Sequence, residues 1–206
     1  MALRIDLLDT MSSENNSTRN RILQATLTLL EAGDGTPTRM SDIANAAKIS
    51  RQAVYLHFPN RADLLIAAVR HVDDIKNVEQ RFAASRAAPD GQIRLAAWVD
   101  AWGNYIPEIY GVARALLAMQ DKDAEARAAW EDRMKAIHHG CEAVASALQE
   151  EGVLRPEVTK AEAADLLAAL VSIQSWEALC QCAGWPQDRF IKILKETAEK
   201  ALLSDR

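Results

Sequence analysis

Residues 41–58 read SDIANAAKISRQAVYLHF, and this pattern predicts two short helices joined by a tight turn. In the first helix, small alanines lie beside an isoleucine and let a second helix approach closely. In the second helix, Val54 and Phe58 lie one turn apart and are expected to fill the crossing. The residues expected to form this scaffold are Ile43, Ala44, Ala47, Ile49, Val54 and Phe58.

The rest of the second helix carries polar side chains that can form hydrogen bonds. They are Ser50, Arg51, Gln52, Tyr55 and His57, and Ser50 is a favourable N-cap. A helix-turn-helix motif that places its second helix in the DNA major groove needs this division between a packed stripe and a polar face. Residues 48–61 contain three basic side chains and no acidic one, although the whole chain has a net charge of −5. The pattern favours contact with nucleic acid.

This part of the chain resembles the TetR family of bacterial transcriptional repressors. The resemblance rests on residues 22–33 as a first helix, on Asp42-Ile43-Ala44 and Ile49-Ser50 around the turn, and on YLHFPNR at residues 55–61 with Leu64-Leu65. It covers residues 17–75. Two positions depart from the family pattern: Lys48 stands where a glycine is usual, and Gln52 stands where a small residue is frequent.

The resemblance implies a homodimer whose two recognition helices enter successive major grooves of a palindromic DNA operator, about 34 Å apart. Arginine can pair with guanine and glutamine with adenine, so Arg51 and Gln52 are expected to contact bases. The other expected contacts are with a thymine methyl group and with phosphates. The full set of expected DNA contacts is Thr38, Arg39, Ser50, Arg51, Gln52, Ala53, Tyr55, His57 and Arg61. The resemblance also implies a small-molecule effector that releases the protein from DNA.

The remaining sequence predicts an all-α protein. Helix-favouring residues dominate, with 37 alanines among 206 residues, whereas strand-favouring residues are scarce. Glycine and proline breaks outline about nine helices, including segments near residues 61–82, 92–106, 108–120, 123–151, 160–183 and 187–203. The first helix is expected to start at Ser17 or Thr18. We expect a flexible tail at residues 1–16, a helix-turn-helix domain at 17–62, and a helical effector-binding and dimerisation domain at 63–206.

All five tryptophans follow the predicted DNA-binding segment. Several of them recur at helical spacing with other aromatic, sulfur-containing or imidazole side chains. Such stripes usually form a core, but they also suit a cavity for an apolar or aromatic effector. The candidate pocket residues are Trp98, Trp102, Tyr105, Trp130, Met134, His138 and Trp176. An acidic effector is expected only if Arg94, Arg114 or His138 turns inward.

The segment Ala161–Ala183 is apolar on more than one face and contains an uncharged run from Leu166 to Trp176. A helix of this kind needs packing partners on two sides. One partner is its own domain, and we expect the other to be a second subunit, joined by the last helix. A central helix in a monomeric bundle is the alternative interpretation. The candidate interface residues are Leu166, Leu170, Ile173, Phe190 and Leu194.

Several other classes of function are not expected. The sequence has no nucleophile elbow, HExxH motif or glycine-rich phosphate loop, so we expect neither an enzyme nor a cofactor. His138 and Cys141 lie one turn apart without evident further ligands, so no metal site is expected. No apolar run approaches the roughly twenty residues of a membrane span, and no signal peptide is evident. With three cysteines, an odd number, the chain is expected to be cytoplasmic.

The competing hypothesis is a helical ligand-binding or protein-binding module that does not touch DNA. Arg51 or His57 taken singly is most often a solvated surface residue. The segment 48–61 distinguishes the two hypotheses, because a module without a DNA partner has no reason to expose Arg51, Gln52, Tyr55 and His57 together.

Overall fold

The computed structural model describes residues 3–33 and 36–204, with side chains from Asn15 onward. Contacts divide the chain into two compact units. The first contains the described residues up to Val72 together with Gly111–Asp132, and the second contains Asp73–Tyr110 with the described residues from Arg133 onward. The described residues form eleven α-helices, one π-helical segment and no strand. This confirms the predicted all-α class.

The first unit begins with a long helix. Helix α1 spans Leu3–Ala32, α2 spans Met40–Ala46 and α3 spans Arg51–His57. The prediction that the first helix starts at Ser17 or Thr18 is wrong, because the predicted tail is already helical from Leu3. No glycine or proline precedes Gly33 in the sequence, so no residue of the strongest helix-breaking types interrupts α1.

A small apolar core closes the crossing of α2 and α3. Ile43 and Val54 are fully buried, and Ala44, Ala47 and Phe58 are nearly so, as the sequence predicted. Ile49 is half-buried. Helix α1 adds Ile22 and Leu23 to the buried set, and the following helix adds Leu64 and Leu65. The short helices are thus held by a shared core rather than by their own length.

Helix α4 spans Arg61–Ile75 and is shorter than the predicted segment at residues 61–82. Asn77 adopts a left-handed backbone with φ 51°. This conformation is common just after a helix end, and asparagine tolerates it better than most residues. Two short helices follow, α5 at Val78–Arg81 and α6 at Ala83–Arg86.

Helix α7 spans Gly91–Met119 without a break, so the predicted interruption at Pro107 is wrong. Pro107 has no N–H, which leaves the carbonyl of Gly103, one turn earlier, without its usual helical partner. The side-chain amide of Gln187 donates to that carbonyl across 2.7 Å. Gln187 also accepts a hydrogen bond from the indole N–H of Trp176 at 2.7 Å. One side chain therefore satisfies two buried polar groups and compensates for the proline.

The remaining elements are α8 at Ala124–Glu150, α9 at Lys160–Leu170, α10 at Ile173–Trp176, the π-helical segment at Glu177–Cys182 and α11 at Gln187–Leu202. The predicted single helix at 160–183 is divided at Val171. Ser172 is the reason, because its hydroxyl oxygen accepts a hydrogen bond from the N–H of Ser175 at 3.1 Å and caps a new helix.

Among the described helices, no single one is long and apolar enough to cross a membrane. Helices α9 and α10 with the π-helical segment meet the length and composition only when they are joined across a bend of 41°. Part of that apolar surface is already covered, since Ala163, Ala164 and Leu167 are fully buried.

Replacing Gln187 by leucine should lower the free energy of unfolding by about 2–4 kcal/mol, because the Gly103 carbonyl and the Trp176 N–H lose their partners. Urea denaturation followed by circular dichroism measures this. Gln181→Leu is the matched control, since Gln181 is exposed, and it should change the same quantity by less than about 0.5 kcal/mol. Equal effects in the two variants would contradict the role of Gln187.

Candidate nucleic-acid interface and cavity

The turn between α2 and α3 is built by Lys48 and Ser50. Lys48 has a left-handed backbone with φ 55°, which costs a residue with a side chain about 1–2 kcal/mol and costs glycine far less. The hydroxyl oxygen of Ser50 accepts a hydrogen bond from the N–H of Ala53 at 3.1 Å. Ser50 is therefore the N-cap of α3, as the sequence predicted.

The outer face of α3 is polar. Arg51, Gln52 and Tyr55 are exposed, whereas Ala53 and His57 are half-buried. The Arg51 guanidinium donates to the Tyr55 hydroxyl oxygen at 3.2 Å and lies 5.5 Å from the centre of its ring. The structure thus places expected DNA-contacting residues on one exposed surface, and their contact with DNA stays a prediction.

Leu56 is an exposed apolar residue on the same short helix. The residue is 82% exposed, so it does not pack on α4. The signal was present in the spacing, because Leu56 lies off the stripe that Val54 and Phe58 form. Leu56 adds a candidate for apolar contact with thymine methyl groups or sugars.

A polar depression of about 590 Å³ is lined by residues of α3 and by residues 37–41. It brings together Thr38, Arg39, Arg51, Tyr55 and Arg61. Arg39 is exposed, whereas Thr38 is buried and its backbone carbonyl accepts a hydrogen bond from Arg61 at 2.5 Å. Five of the expected DNA contacts therefore share one concave surface.

Arg61 is engaged within the first unit. Its guanidinium nitrogens lie 2.9 Å from the carboxylate of Asp123 and 3.0 Å from that of Glu125, and its side chain is only 11% exposed. This differs from the expectation that Arg61 serves as a phosphate-binding cation. A phosphate that contacts Arg61 competes with these two carboxylates for the guanidinium. The ion pair joins residues 62 positions apart, and nothing in the local sequence signals it.

Burial and hydrogen bonding act in opposite directions on Asp123. Burial raises the pKa of the carboxyl group, but hydrogen bonds from Arg61 and from the backbone N–H of Ala126 outweigh it, and the pKa lies below its usual value. For Arg61, burial lowers the pKa, whereas the hydrogen bonds to Asp123 and Glu125 raise it above its usual value. Both groups therefore carry their charge at neutral pH.

A cavity of about 310 Å³ lies within the second unit. Phe82, Trp98 and Trp102 form an aromatic wall, with neighbouring ring centres 6.1 and 6.2 Å apart. The charged side chains that line the cavity are Asp73, Arg86, Arg94 and Arg133. Two of the predicted pocket residues, Trp98 and Trp102, therefore line it.

The other predicted pocket residues lie elsewhere. Met134 and His138 line a second depression, of about 590 Å³, together with Trp102. Tyr105 is fully buried, and its hydroxyl donates to Asp73 at 2.6 Å. Burial is the largest cause of a raised pKa at Tyr105, and the hydrogen bond to Asp73 raises it further.

Tyr105, Trp130 and Trp176 line neither depression. Trp176 is buried, with its ring centre 4.9 Å from that of Tyr110, and Trp130 is buried and belongs to the first unit. In this structure these three are core residues, because helical spacing alone does not separate a packed stripe from a cavity wall.

The predicted interface residues also divide. Leu166 is 44% exposed and Leu170 is half-buried. Ile173, Phe190 and Leu194 are buried within a single chain, so their apolar area is already covered. Only Leu166 and Leu170 of this set remain available to a second subunit.

The imidazole ring of His138 lies between two carboxylate side chains. One ring nitrogen lies 2.9 Å from Asp165 and the other 3.5 Å from Glu142. Cys141 is fully buried, and burial raises the pKa of its thiol to about 12. Within the described part of the chain, no group of three or more His, Cys, Asp or Glu side chains is arranged to hold a metal ion.

Comparison with known proteins identifies the N-terminal segment. Residues 22–68 match the family model of the bacterial regulatory proteins, tetR family. This segment is thus similar to the helix-turn-helix domain of TetR-family regulators. The HTH-type transcriptional repressor LfrR of Mycolicibacterium smegmatis is 38% identical over 78 residues, which is 38% of this chain and 38% of that protein. The aligned part thus spans well under half of the curated relative.

Solved structures of regulators share the fold of the whole chain. A putative transcriptional regulator from Saccharomonospora viridis, in complex with choline, has a TM-score of 0.71 and 20% identity, covering 92% of this chain and 100% of that one. NalD, the secondary repressor of the MexAB-OprM multidrug efflux pump in Pseudomonas aeruginosa, has a TM-score of 0.67 and 23% identity, covering 94% and 100%. The helical architecture of these regulators therefore covers nearly the whole of this chain, beyond the segment that the family model matches.

Within the first unit, Asp123→Asn should lower the free energy of unfolding by about 1.5–3 kcal/mol at pH 7, because Arg61 loses a charged, largely buried partner. Glu125→Gln is the control, since Glu125 is 43% exposed, and it should cost less than about 1 kcal/mol. Urea denaturation measures both.

The same pair should make stability depend on pH. The folded pKa of Asp123 lies below its unfolded value, so the wild-type advantage is present above about pH 4 and is lost as the pH falls through the folded pKa. An Asp123→Asn deficit that is unchanged between pH 7 and the acid end of the folded range would contradict this assignment.

Proposed function

We propose that this chain is a DNA-binding transcriptional regulator, acting as a homodimeric repressor that a small molecule releases from a palindromic operator. The observation that carries the proposal is the exposed polar face of α3, with Arg51, Gln52 and Tyr55, in a domain that matches the TetR family. The relatives LfrR and NalD, both described as repressors, support the direction of regulation. Operator binding requires access to the chromosome, so the proposed location is the cytoplasm.

The proposed DNA contacts fall into two classes. Arg51 and Gln52 stand at the exposed N-terminal end of α3 and read base edges. Thr38, Arg39, Ser50, Tyr55 and His57 surround them and position the helix on the phosphate backbone. Phosphate contacts strengthen binding to every sequence, whereas base contacts make it selective.

The proposed dimer places two α3 helices in successive major grooves. Leu166 and Leu170 of α9 supply apolar area that a single chain leaves partly uncovered. A two-fold interface uses the same patch on both subunits, so Leu166 of each subunit contributes apolar area to it.

Helix α4 is the proposed lever for release. It begins at Arg61, next to the recognition helix in the sequence, and its last turn carries Asp73, which lines the cavity of the second unit. A ligand that prefers one position of this turn shifts the population of the chain between two conformations. The regulator from Saccharomonospora viridis was solved with choline, which supports a small-molecule site in proteins of this fold.

The DNA proposal is tested by selecting operator sequences from a random duplex pool with the wild-type chain. Arg51→Ala should weaken binding to the selected operator by about 1–3 kcal/mol and leave binding to a scrambled duplex nearly unchanged, because position 51 reads bases. Arg114→Ala removes the same charge from an exposed position on α7 and is the control. Titrations at fixed salt concentration compare the variants.

Two outcomes would overturn this assignment. One is the absence of any selected sequence, which favours the competing hypothesis of a module that does not bind DNA. The other is an Arg51→Ala variant that retains the full preference for the operator.

The dimer proposal is tested with Leu166→Glu, which places a charge on the patch that is proposed to be shared. The variant should fold normally and be monomeric at micromolar concentration in light scattering, because an interface cannot bury an unpaired charge. Ile75→Glu is the control, at 48% exposure on a different helix, and should leave the mass unchanged. A wild-type monomer, or a Leu166→Glu dimer as stable as the wild type, would rule the interface out.

A further inference from the structure

We propose that the cavity of the second unit binds an organic anion: an aromatic ring system carrying a carboxylate, which Arg94 holds. The inference rests on the proposed function, of which it names the effector class. It follows from a half-buried arginine that has no ion-pair partner among the described residues and a buried Nε without a hydrogen-bond acceptor, from the aromatic wall beside it and from the charge of the lining.

Arg94 differs from the other arginines of the cavity. Arg133 pairs with Asp73, and Arg86 pairs with Glu79 at 3.0 Å. Arg94 forms no ion pair with any residue that the structure describes, and its Nε is buried without a hydrogen-bond partner. Arginine is always protonated, and a buried donor without an acceptor is costly. A ligand that supplies a carboxylate removes this cost.

The backbone places Arg94 against the aromatic wall. Arg94, Trp98 and Trp102 follow one another at intervals of four residues on α7 and therefore share one face of the helix. The buried hydroxyl of Ser85 donates to the carbonyl oxygen of Arg94 at 3.1 Å and ties the start of that face to α6. An anion held by the guanidinium thus lies at one end of a row of indoles.

Trp98 packs closely against helix α8. A Cβ atom at Gly140 would lie 3.0 Å from the indole nitrogen of Trp98, so α8 has no room for a side chain there without a shift of this ring. Phe82 and Trp102 flank Trp98 with ring centres at about equal distances. At about 310 Å³ the cavity admits a compact one- or two-ring molecule.

The charge of the lining favours an anion over a cation. Three arginines and one aspartate line the cavity. The aspartate is already occupied, because Asp73 pairs with Arg133 and accepts a hydrogen bond from Tyr105. A cationic ligand therefore meets no free carboxylate there, whereas a carboxylate can form two parallel hydrogen bonds with an arginine. An inorganic anion makes no use of the aromatic wall.

Isothermal titration calorimetry of the full chain tests the proposal with matched pairs of probes: benzoate and benzamide, and 2-naphthoate and 2-naphthamide. Choline and inorganic phosphate are the remaining ligands. The wild type should bind the better carboxylate at least about tenfold more tightly than its amide, because a charged hydrogen bond is lost in the amide. Arg94→Gln should abolish this preference, and Arg94→Lys should retain part of it. Arg114→Gln, the same change on an exposed turn of α7, should behave as the wild type.

Equal or tighter binding of the amides, tighter binding of choline, or a preference that survives in Arg94→Gln would overturn the proposal. So would the failure of both carboxylates to bind. Operator binding is measured in parallel without any probe, so that its absence contradicts the proposed function alone. A carboxylate that binds through Arg94 but leaves operator affinity unchanged supports the anion site and contradicts effector release.

Discussion

The ion pair between Arg61 and Asp123 fixes the start of α4. The two side chains are largely buried, and each also bonds to backbone: Arg61 to the carbonyl of Thr38, and Asp123 to the first N–H groups of α8. One contact therefore holds together the entry to α2, the start of α4 and the start of α8. Because α3 is only seven residues long and ends just before α4, its position depends on this anchor and on the shared core.

Helix α4 ends on a second set of charges. Asp73 in its last turn accepts a hydrogen bond from Tyr105 and pairs with Arg133, which lies 5.9 Å from the ring centre of Trp102. Both Asp73 and Arg133 line the cavity. In the proposed complex, the carboxylate that Arg94 holds shares the cavity with this ion pair and can compete with Asp73 for Arg133. The proposed lever and the proposed anion site thus meet at the Asp73–Arg133 pair.

Local sequence patterns correctly predicted those structural features that are determined by residues close together in the chain. The scaffold of the α2–α3 crossing, the Ser50 cap and the exposed face of α3 follow from spacing within eighteen residues. The break expected at Pro107 was wrong because the compensating donor, Gln187, lies 84 residues after Gly103. The ion pairs of Arg61 with Asp123 and Glu125 were not predicted for the same reason, because their partners lie far away in the sequence. Pairings across such distances are set by the packed fold, and no local periodicity contains them.

The cavity could be predicted only in part from the sequence, because the spacing of its residues on α7 is local but their ion pairing is not. Arg94, Trp98 and Trp102 repeat at intervals of four, so the sequence already placed a cation on the aromatic face of one helix. What it lacked was the bonding state of that cation. An arginine on an aromatic face usually pairs with an acidic group or reaches water, and only the fold shows that Asp73, the acidic residue of the cavity lining, is paired with Arg133. The ligand preference proposed for the cavity therefore depends on Arg94 having no ion-pair partner among the described residues. This follows from all the ion pairs around the cavity together, and no single residue in the sequence reveals it.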